Sequence, residues 1–292
     1  MQITVTKEEV RIEIPLEKIT ELETLSLDIL KSNVTSLKLL RSYVGKAMYI
    51  ASTIYTWRPF LSQLFAALVP CNSWNAPRNC VWTKQLETPI YWILAFLHSL
   101  HDHHVRTWKV ESYVRSGPQI TIVWDASPWG FGALLLVDDR IVEYLADIPH
   151  AFEIELLKIV VGDCESQQLM ESLAGLVCLR TWSKWWMQAR ITLSIRSDNM
   201  GALILFSRMK TSSSRNGIIA REFALDLGNA AFSPDIVQHI PGFTNITCDA
   251  LSRLPSGKYS VPGHLTNIPR ARLSIRDRNW WKSLTPPQIS SA

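Results

Sequence analysis

The chain predicts a mixed α/β layer fold, and three observations lead there. Residues 121–135, TIVWDASPWGFGALL, read as a strand, a glycine-containing turn and a second strand. The pattern after them runs strand, helix, strand, helices, strand, helix. The residues before them carry apolar side chains at a spacing of three to four, which is a helical period.

The first part of the chain opens on a small hairpin. Ile3 and Val5 alternate with polar residues, Lys7-Glu8-Glu9 make the turn, and Val10, Ile12 and Ile14 alternate again before Pro15. Leu16, Ile19, Leu22, Leu25 and Ile29 then mark a helix. Thr35 or Ser36 is placed to cap a second, carrying Leu37, Leu40, Val44, Met48 and Ile50. Arg58-Pro59-Phe60 opens a third, 70–78 is looser, and a fourth spans about Thr83 to His101. Cys71, Cys80, His98, His101, His103 and His104 lie in this region. Their spacing does not match the paired ligands of zinc modules, so solvated helix-end histidines are the better reading. Ser116-Gly117-Pro118 is the best domain boundary, a turn cluster just before the next strand.

In the second part, Ile120–Trp124 is a β-branched and aromatic run that ends on one carboxylate, Asp125. Asp138-Asp139 reads as a hairpin turn before a third strand, Arg140–Ala146. A helix is expected from about Ser166 to Gln188. On it Glu171, Ala174, Gly175 and Cys178 fall at i, i+3, i+4 and i+7, a mostly small face that permits close approach to a sheet. Glu171 is therefore favoured over Glu165, which fits a first-turn acid near the helix dipole. Ile191–Ile195 alternates and ends in Arg196-Ser197-Asp198-Asn199. Gly201–Met209 is helical, Thr211–Asn216 is a Ser-rich linker, and Ile218–Ala231 is helical again. Ile236–Ile240 is a fifth strand, after which Asn245 is placed to cap a short helix with Asp249, Leu251 and Leu254.

Composition bounds the function classes. With 292 residues, 47% of them hydrophobic, the chain can bury a sizeable core in one large domain or two. A net charge of +4 permits a polyanionic partner without demanding one. Five cysteines with no CxxC pair point to reduced thiols and an intracellular protein, cytoplasmic or nuclear. The residues after Met1 show no leader pattern, and the longest apolar run, Ile90–Leu97, is far too short for a bilayer; neither a membrane partner nor a small-molecule cofactor is expected.

Four acids stand at comparable places: Asp125 and Asp198 at strand ends, Glu171 and Asp249 on helices. Singly, each has a bland reading as a turn, cap or surface charge. Together they are oxygen-only donors, which suit a hard cation such as Mg²⁺ or Mn²⁺. Gathered carboxylates repel one another unless a metal neutralises them. Two ions about 4 Å apart can activate a water and stabilise the leaving oxygen of a phosphodiester.

DASPWGFGALL, MESLAGLVCLRTW, SDNMGAL and HIPGFTNITCDALSRL resemble the four blocks of type 1 ribonuclease H as found in retrotransposon reverse transcriptases. The last block is the most specific, and the resemblance covers about 119–256. LRSYVGKAMYIAS and RPFLSQLF resemble the thumb and connection that follow the polymerase palm in such elements. The fold this implies is a ribonuclease H-like mixed five-stranded sheet flanked by helices, preceded by a mainly helical thumb- and connection-like region. The implied division is 1–118 for that region, 119–256 for the ribonuclease H-like domain and 257–292 for a basic tail or linker.

The same resemblance implies metal-binding, catalytic roles for Asp125, Glu171, Asp198 and Asp249, two Mg²⁺ or Mn²⁺ ions, and an RNA–DNA hybrid as substrate. The 2′-hydroxyl is the feature by which such a site tells RNA from DNA. Asn199 is expected at the nucleic-acid backbone. Lys184, Arg190, Arg208, Lys210 and Arg215 are candidate phosphate contacts, with Trp182, Trp185 and Trp186 read as core rather than grip. Cellular members carry a histidine in the loop before the last acid. Residues 242–246 contain none, and His239, earlier on the strand, reads as structural. No Tyr-x-Asp-Asp motif is present, so the expected companion is a polymerase portion lying N-terminal to this one. The alternatives are a catalytically decayed ribonuclease H-like module that binds nucleic acid, and an integrase-type DNA-cutting member, against which the DALSR block and the thumb-like segment argue.

Overall fold

The computed structural model describes residues 1–69, 76–98, 105–110, 117–187, 192–228 and 236–287. The backbone forms two compact units, Met1–Trp108 with Ser283–Ala292, and Lys109–Lys282.

In the first unit β1 (Gln2–Val5) and β2 (Glu9–Glu13) pair as the expected antiparallel hairpin, with Val5 opposite Val10. Helix α1 (Leu16–Leu30) follows Pro15, whose fixed φ suits a helix entry. Ser36 caps α2 (Leu37–Thr53), its hydroxyl accepting the Leu39 N–H at 3.2 Å. Two short strands went unread in the sequence, β3 (Val34–Ser36) and β4 (Cys80–Trp82), which pair antiparallel. Pro59 sits in the first turn of α3 (Arg58–Leu68), where a missing N–H breaks no bond. The fourth helix, α4 (Glu87–Leu97), starts after a short 3₁₀ turn and is shorter than expected; His101 lies outside the described residues. Trp57, Phe60, Trp92 and Phe96 form its aromatic core, with centroids 4.9–5.8 Å apart. His98 pairs with Glu23 at 3.1 Å, a solvated helix-end contact; Cys71, His103 and His104 lie outside the described residues. Strand β5 (Val105–Lys109) joins β1 and β2 in one sheet.

The second unit is built on a five-stranded sheet. Its strands are β6 (Gln119–Ala126), β7 (Phe131–Val137), β8 (Arg140–Asp147), β9 (Thr192–Ser197) and β10 (Ile236–His239), in the order β10-β9-β6-β7-β8. Short turns make β6, β7 and β8 antiparallel. Asp138 and Asp139 both take positive φ (49° and 61°), the geometry of a tight hairpin turn. Helical crossovers return β9 and β10 parallel to β6. The mixed α/β sheet flanked by helices is thus the architecture the sequence predicted.

Helix α5 (Ala151–Leu157) was not anticipated, and the expected long helix is two: α6 (Gln167–Thr181) and the single turn α7 (Ser183–Trp186). The break falls at Trp182, whose indole N–H is held by Glu143 Oε2 of β8 at 2.8 Å. Trp182 and Trp186 are buried, as core residues should be. Residues 169–179 of α6 are buried all round, as a central helix must be. Its small face matters at Gly175, where a Cβ would run into the Phe206 ring.

Helix α8 (Met200–Arg208) packs beside it, with α9 (Ser214–Gly228). The latter starts earlier than predicted because the Ser213 hydroxyl accepts the Asn216 N–H at 3.3 Å, so that only residues 209–213 link the two helices. Its expected end at Ala231 lies outside the described residues. On the opposite sheet face Val123, Leu134, Ala146, Cys248, Leu251 and Leu265 form a second core under α10 (Ile246–Ser252).

The segment expected as a basic tail is packed, at least to Lys282. Arg276 is 2% exposed and bonds Glu153 Oε1 at 2.7 Å and Asp147 Oδ2 at 2.6 Å. The backbone of residues 269–271 bonds Tyr144 on both sides, at 3.1 and 2.8 Å, and so lines the outer edge of β8. Buried acids that need a cation hold this stretch down, a relation invisible to local composition. Among the described residues no helix is long and apolar enough to cross a membrane.

Candidate metal centre

Three of the four sequence-predicted acids meet. Asp125 is the second-last residue of β6, Asp198 directly follows β9, and Glu171 projects from the second turn of α6. One carboxylate oxygen from each lies within 4.8 Å of the others. The two strand ends are brought together because β6 and β9 are parallel neighbours, in register from Gln119 opposite Thr192 to Val123 opposite Arg196. Alternation puts Trp124 towards α6, where its indole N–H donates to the Glu171 carbonyl at 3.1 Å. Asp125 then faces α10 along with Val123.

Among the described residues, the side-chain bonds of Asp125 and Glu171 are to neutral donors. The Ser252 hydroxyl lies 3.0 Å from Asp125 Oδ2. Glu171 Oε1 accepts the Ala126 N–H at 3.1 Å and the Gln167 amide at 3.4 Å, and the Ser197 hydroxyl lies 3.5 Å from Oε2. Asp125 is 6% and Glu171 2% exposed. Burial first, then the Asp198 charge, pushes the Asp125 carboxyl up to about 7, against the pull of Ser252. Glu171 is raised well above the ordinary range by burial and then by Asp125. Asp198, half-buried, is raised chiefly by burial, with His239 acting the other way. Three acids held so close with neutral partners are unstable as anions. An all-oxygen donor set of this charge fits a hard divalent cation.

Asp249 stands at the rim. It is on α10 with its side chain 39% exposed, and its Oδ1 accepts from Arg253 Nε at 2.7 Å. Its charge still raises Asp125 and Asp198. Asn245 does not cap α10 with its side chain; its amide donates to the Trp124 carbonyl at 3.0 Å and ties the loop to β6. His239 Nε2 lies 3.0 Å from the Asp198 carbonyl oxygen, a backbone contact that needs the Nε2–H tautomer. The Asn199 side chain caps α8, accepting the Ala202 N–H at 3.0 Å.

The candidate phosphate contacts vary. Lys184 is exposed, with its ammonium 3.8 Å from Glu143. Arg208 and Lys210 are exposed. Arg215 donates to the Lys158 carbonyl at 3.2 Å, and Arg190 lies outside the described residues. The residues that sequence reasoning missed are Ser252, Gln167 and Ser197. Helical spacing offered one clue, since Gln167 precedes Glu171 by four residues and Ser252 follows Asp249 by three.

A solved ribonuclease H1 resembles the chain in part. The crystal structure of the enzyme from the halophilic archaeon Halobacterium salinarum NRC-1 covers 48% of this chain and 98% of its own, with 16% identity and a TM-score of 0.35. No protein-family model matches the chain, and no curated protein sequence matches it. At that distance the likeness decides nothing about chemistry, and the reading of the site rests on its carboxylates.

Proposed function

We propose that the chain is a metal-dependent ribonuclease that cuts the RNA strand of RNA–DNA hybrids, of the type 1 ribonuclease H kind borne by retroelement reverse transcriptases. The observation that carries this is the convergence of Asp125, Glu171 and Asp198 within 4.8 Å, with Asp125 and Glu171 bonded to neutral donors among the described residues. Bound there, Mg²⁺ or Mn²⁺, as one ion or a pair, supplies an activated water and charge stabilisation for the leaving oxygen. Asp125 and Glu171 supply a rigid buried anchor for the ion. Asp198 is the most exposed of the three, and Asp249 joins the donor set once it parts from Arg253. Asn199, Lys184, Arg190, Arg208, Lys210 and Arg215 are proposed to hold the nucleic-acid backbone. The first unit is proposed as thumb- and connection-like, with a polymerase portion as its companion and an intracellular setting, cytoplasmic or nuclear.

A second reading is a decayed module that grips hybrid without cutting. The Asp249–Arg253 ion pair favours it, since it occupies the fourth acid, which is not among the three whose oxygens lie within 4.8 Å of one another. The experiment is Mg²⁺-dependent cleavage of a labelled RNA–DNA hybrid, with duplex DNA and duplex RNA as controls and Asp198→Asn beside the wild type. Cutting confined to hybrid and abolished by the substitution supports the enzyme. Hybrid bound but uncut supports the decayed module, and cleavage that survives Asp198→Asn sinks the proposed site.

A further inference from the structure

We propose that Gln167 is a positioning residue for the metal site, fixing the Glu171 carboxylate to the end of β6 so that divalent-ion affinity depends on its side-chain amide. The proposal rests on reading the three acids as a metal site. The ladder between β6 and β9 stops at Val123 and Arg196, three residues short of the end of β6. Beyond that point the backbone groups on this edge have no strand to pair with, and buried backbone groups must be paired elsewhere. At Ala126 both go to α6: the N–H donates to Glu171 Oε1 at 3.1 Å, and the carbonyl accepts from Gln167 Nε2. The same Nε2 lies 3.4 Å from Glu171 Oε1. Gln167 and Glu171 are one helical turn apart, so their side chains lie side by side. Ala126, Gln167 and Glu171 thus close a ring one residue from Asp125.

The ring settles two things. Glu171 and Asp125 repel, and a carboxylate held by one N–H, with the Ser197 hydroxyl out at 3.5 Å, can still swing away from its neighbour. The amide removes that freedom before the ion arrives, which is the general role of partners that orient ligands. It also does so without charge. A lysine here would reach the same carbonyl but would neutralise the acids in place of the ion.

The test is Mn²⁺ binding to the full chain, read as loss of the free-ion electron paramagnetic resonance signal, for wild type, Gln167→Leu and Gln167→Lys. Gln167→Leu is expected to weaken binding about tenfold, in the range seen when such orienting partners are removed, and Gln167→Lys at least as much. A merely structural glutamine would lower the melting temperature and leave the affinity of the folded protein unmoved; equal affinities overturn the proposal. A wild type that binds no Mn²⁺ overturns it too, together with the metal site. Hybrid cleavage is scored separately. If hybrid stays uncut while the affinities differ, the ribonuclease reading fails and the role of Gln167 stands.

Discussion

Ser252 and Asp125 are 127 residues apart in the chain, and the hydroxyl of one lies 3.0 Å from a carboxylate oxygen of the other. The same serine accepts the Ser127 hydroxyl at its carbonyl, at 2.7 Å, so α10 is stitched to the strand that carries the acid by two bonds from one residue. Ser252→Ala should cost about 1–2 kcal/mol, the worth of a buried hydrogen bond to a group that is partly charged near neutrality. Urea denaturation beside Ser207→Ala, an exposed control, measures it. Equal loss in both variants would mean the contact contributes nothing.

Without a divalent ion the stability should fall as pH rises. Asp125 holds its proton up to about 7 in the folded chain, against 3.8 for the free side chain, and Glu171 is shifted the same way. The folded state then binds more protons than the unfolded one across that window. A raised carboxyl therefore favours folding below its free value and loses that advantage as pH climbs towards the folded one. The unfolding free energy in a chelator, measured by urea denaturation, should drop between pH about 4 and about 7, with a slope of at most ~1.4 kcal/mol per pH unit for each group. Adding Mg²⁺ should flatten the slope. A flat profile in the chelator would sink the prediction.

Arg276 should be among the least replaceable residues outside the site. It is buried against Glu153 and Asp147, and Glu153 is itself fully buried. Arg276→Met leaves that acid uncompensated, for which about 3–5 kcal/mol is expected. Arg272→Met, at an exposed position, should change little. Guanidinium denaturation of the two variants decides, and similar midpoints would show that the tail is not held by this pair.

Two glycines in helices should respond with opposite signs to alanine. At Gly175 the added methyl meets the Phe206 ring, and overpacking of about 1–3 kcal/mol should outweigh the helix preference for alanine. At Gly45 of α2 nothing lies within 4 Å, so Gly45→Ala should stabilise by roughly 0.8–1 kcal/mol. Calorimetry on both variants checks the pair; a stabilised Gly175→Ala would mean that α6 has room to shift.

Much of this was legible because it is written locally. Alternation marked Ile120–Trp124 and the strand before Asp198, and a helical face of small residues chose Glu171 over Glu165, which the structure leaves exposed in a 3₁₀ turn. Helix α5, with seven residues, is too short to establish a period. Asn245 looked like a cap because residue type cannot say whether an amide will find a helix N–H or a carbonyl across a loop. The stretch that carries Arg276 read as a basic tail or linker because the partners of Arg276 lie 123 and 129 residues upstream. Distances of that order leave no trace in any window of sequence.

The strap along β8 also sets a clock. The chain must be made as far as Arg276 before Glu153 meets its cation and before residues 269–271 cover the outer strand. At about 5–20 residues per second, the 123 residues between them take roughly 6–25 s to emerge from a ribosome. For that interval the nascent sheet carries a bare edge beside an unpaired acid. This is the period in which strand-to-strand sticking between neighbouring nascent chains is most favoured, and in which slowing synthesis would be felt most.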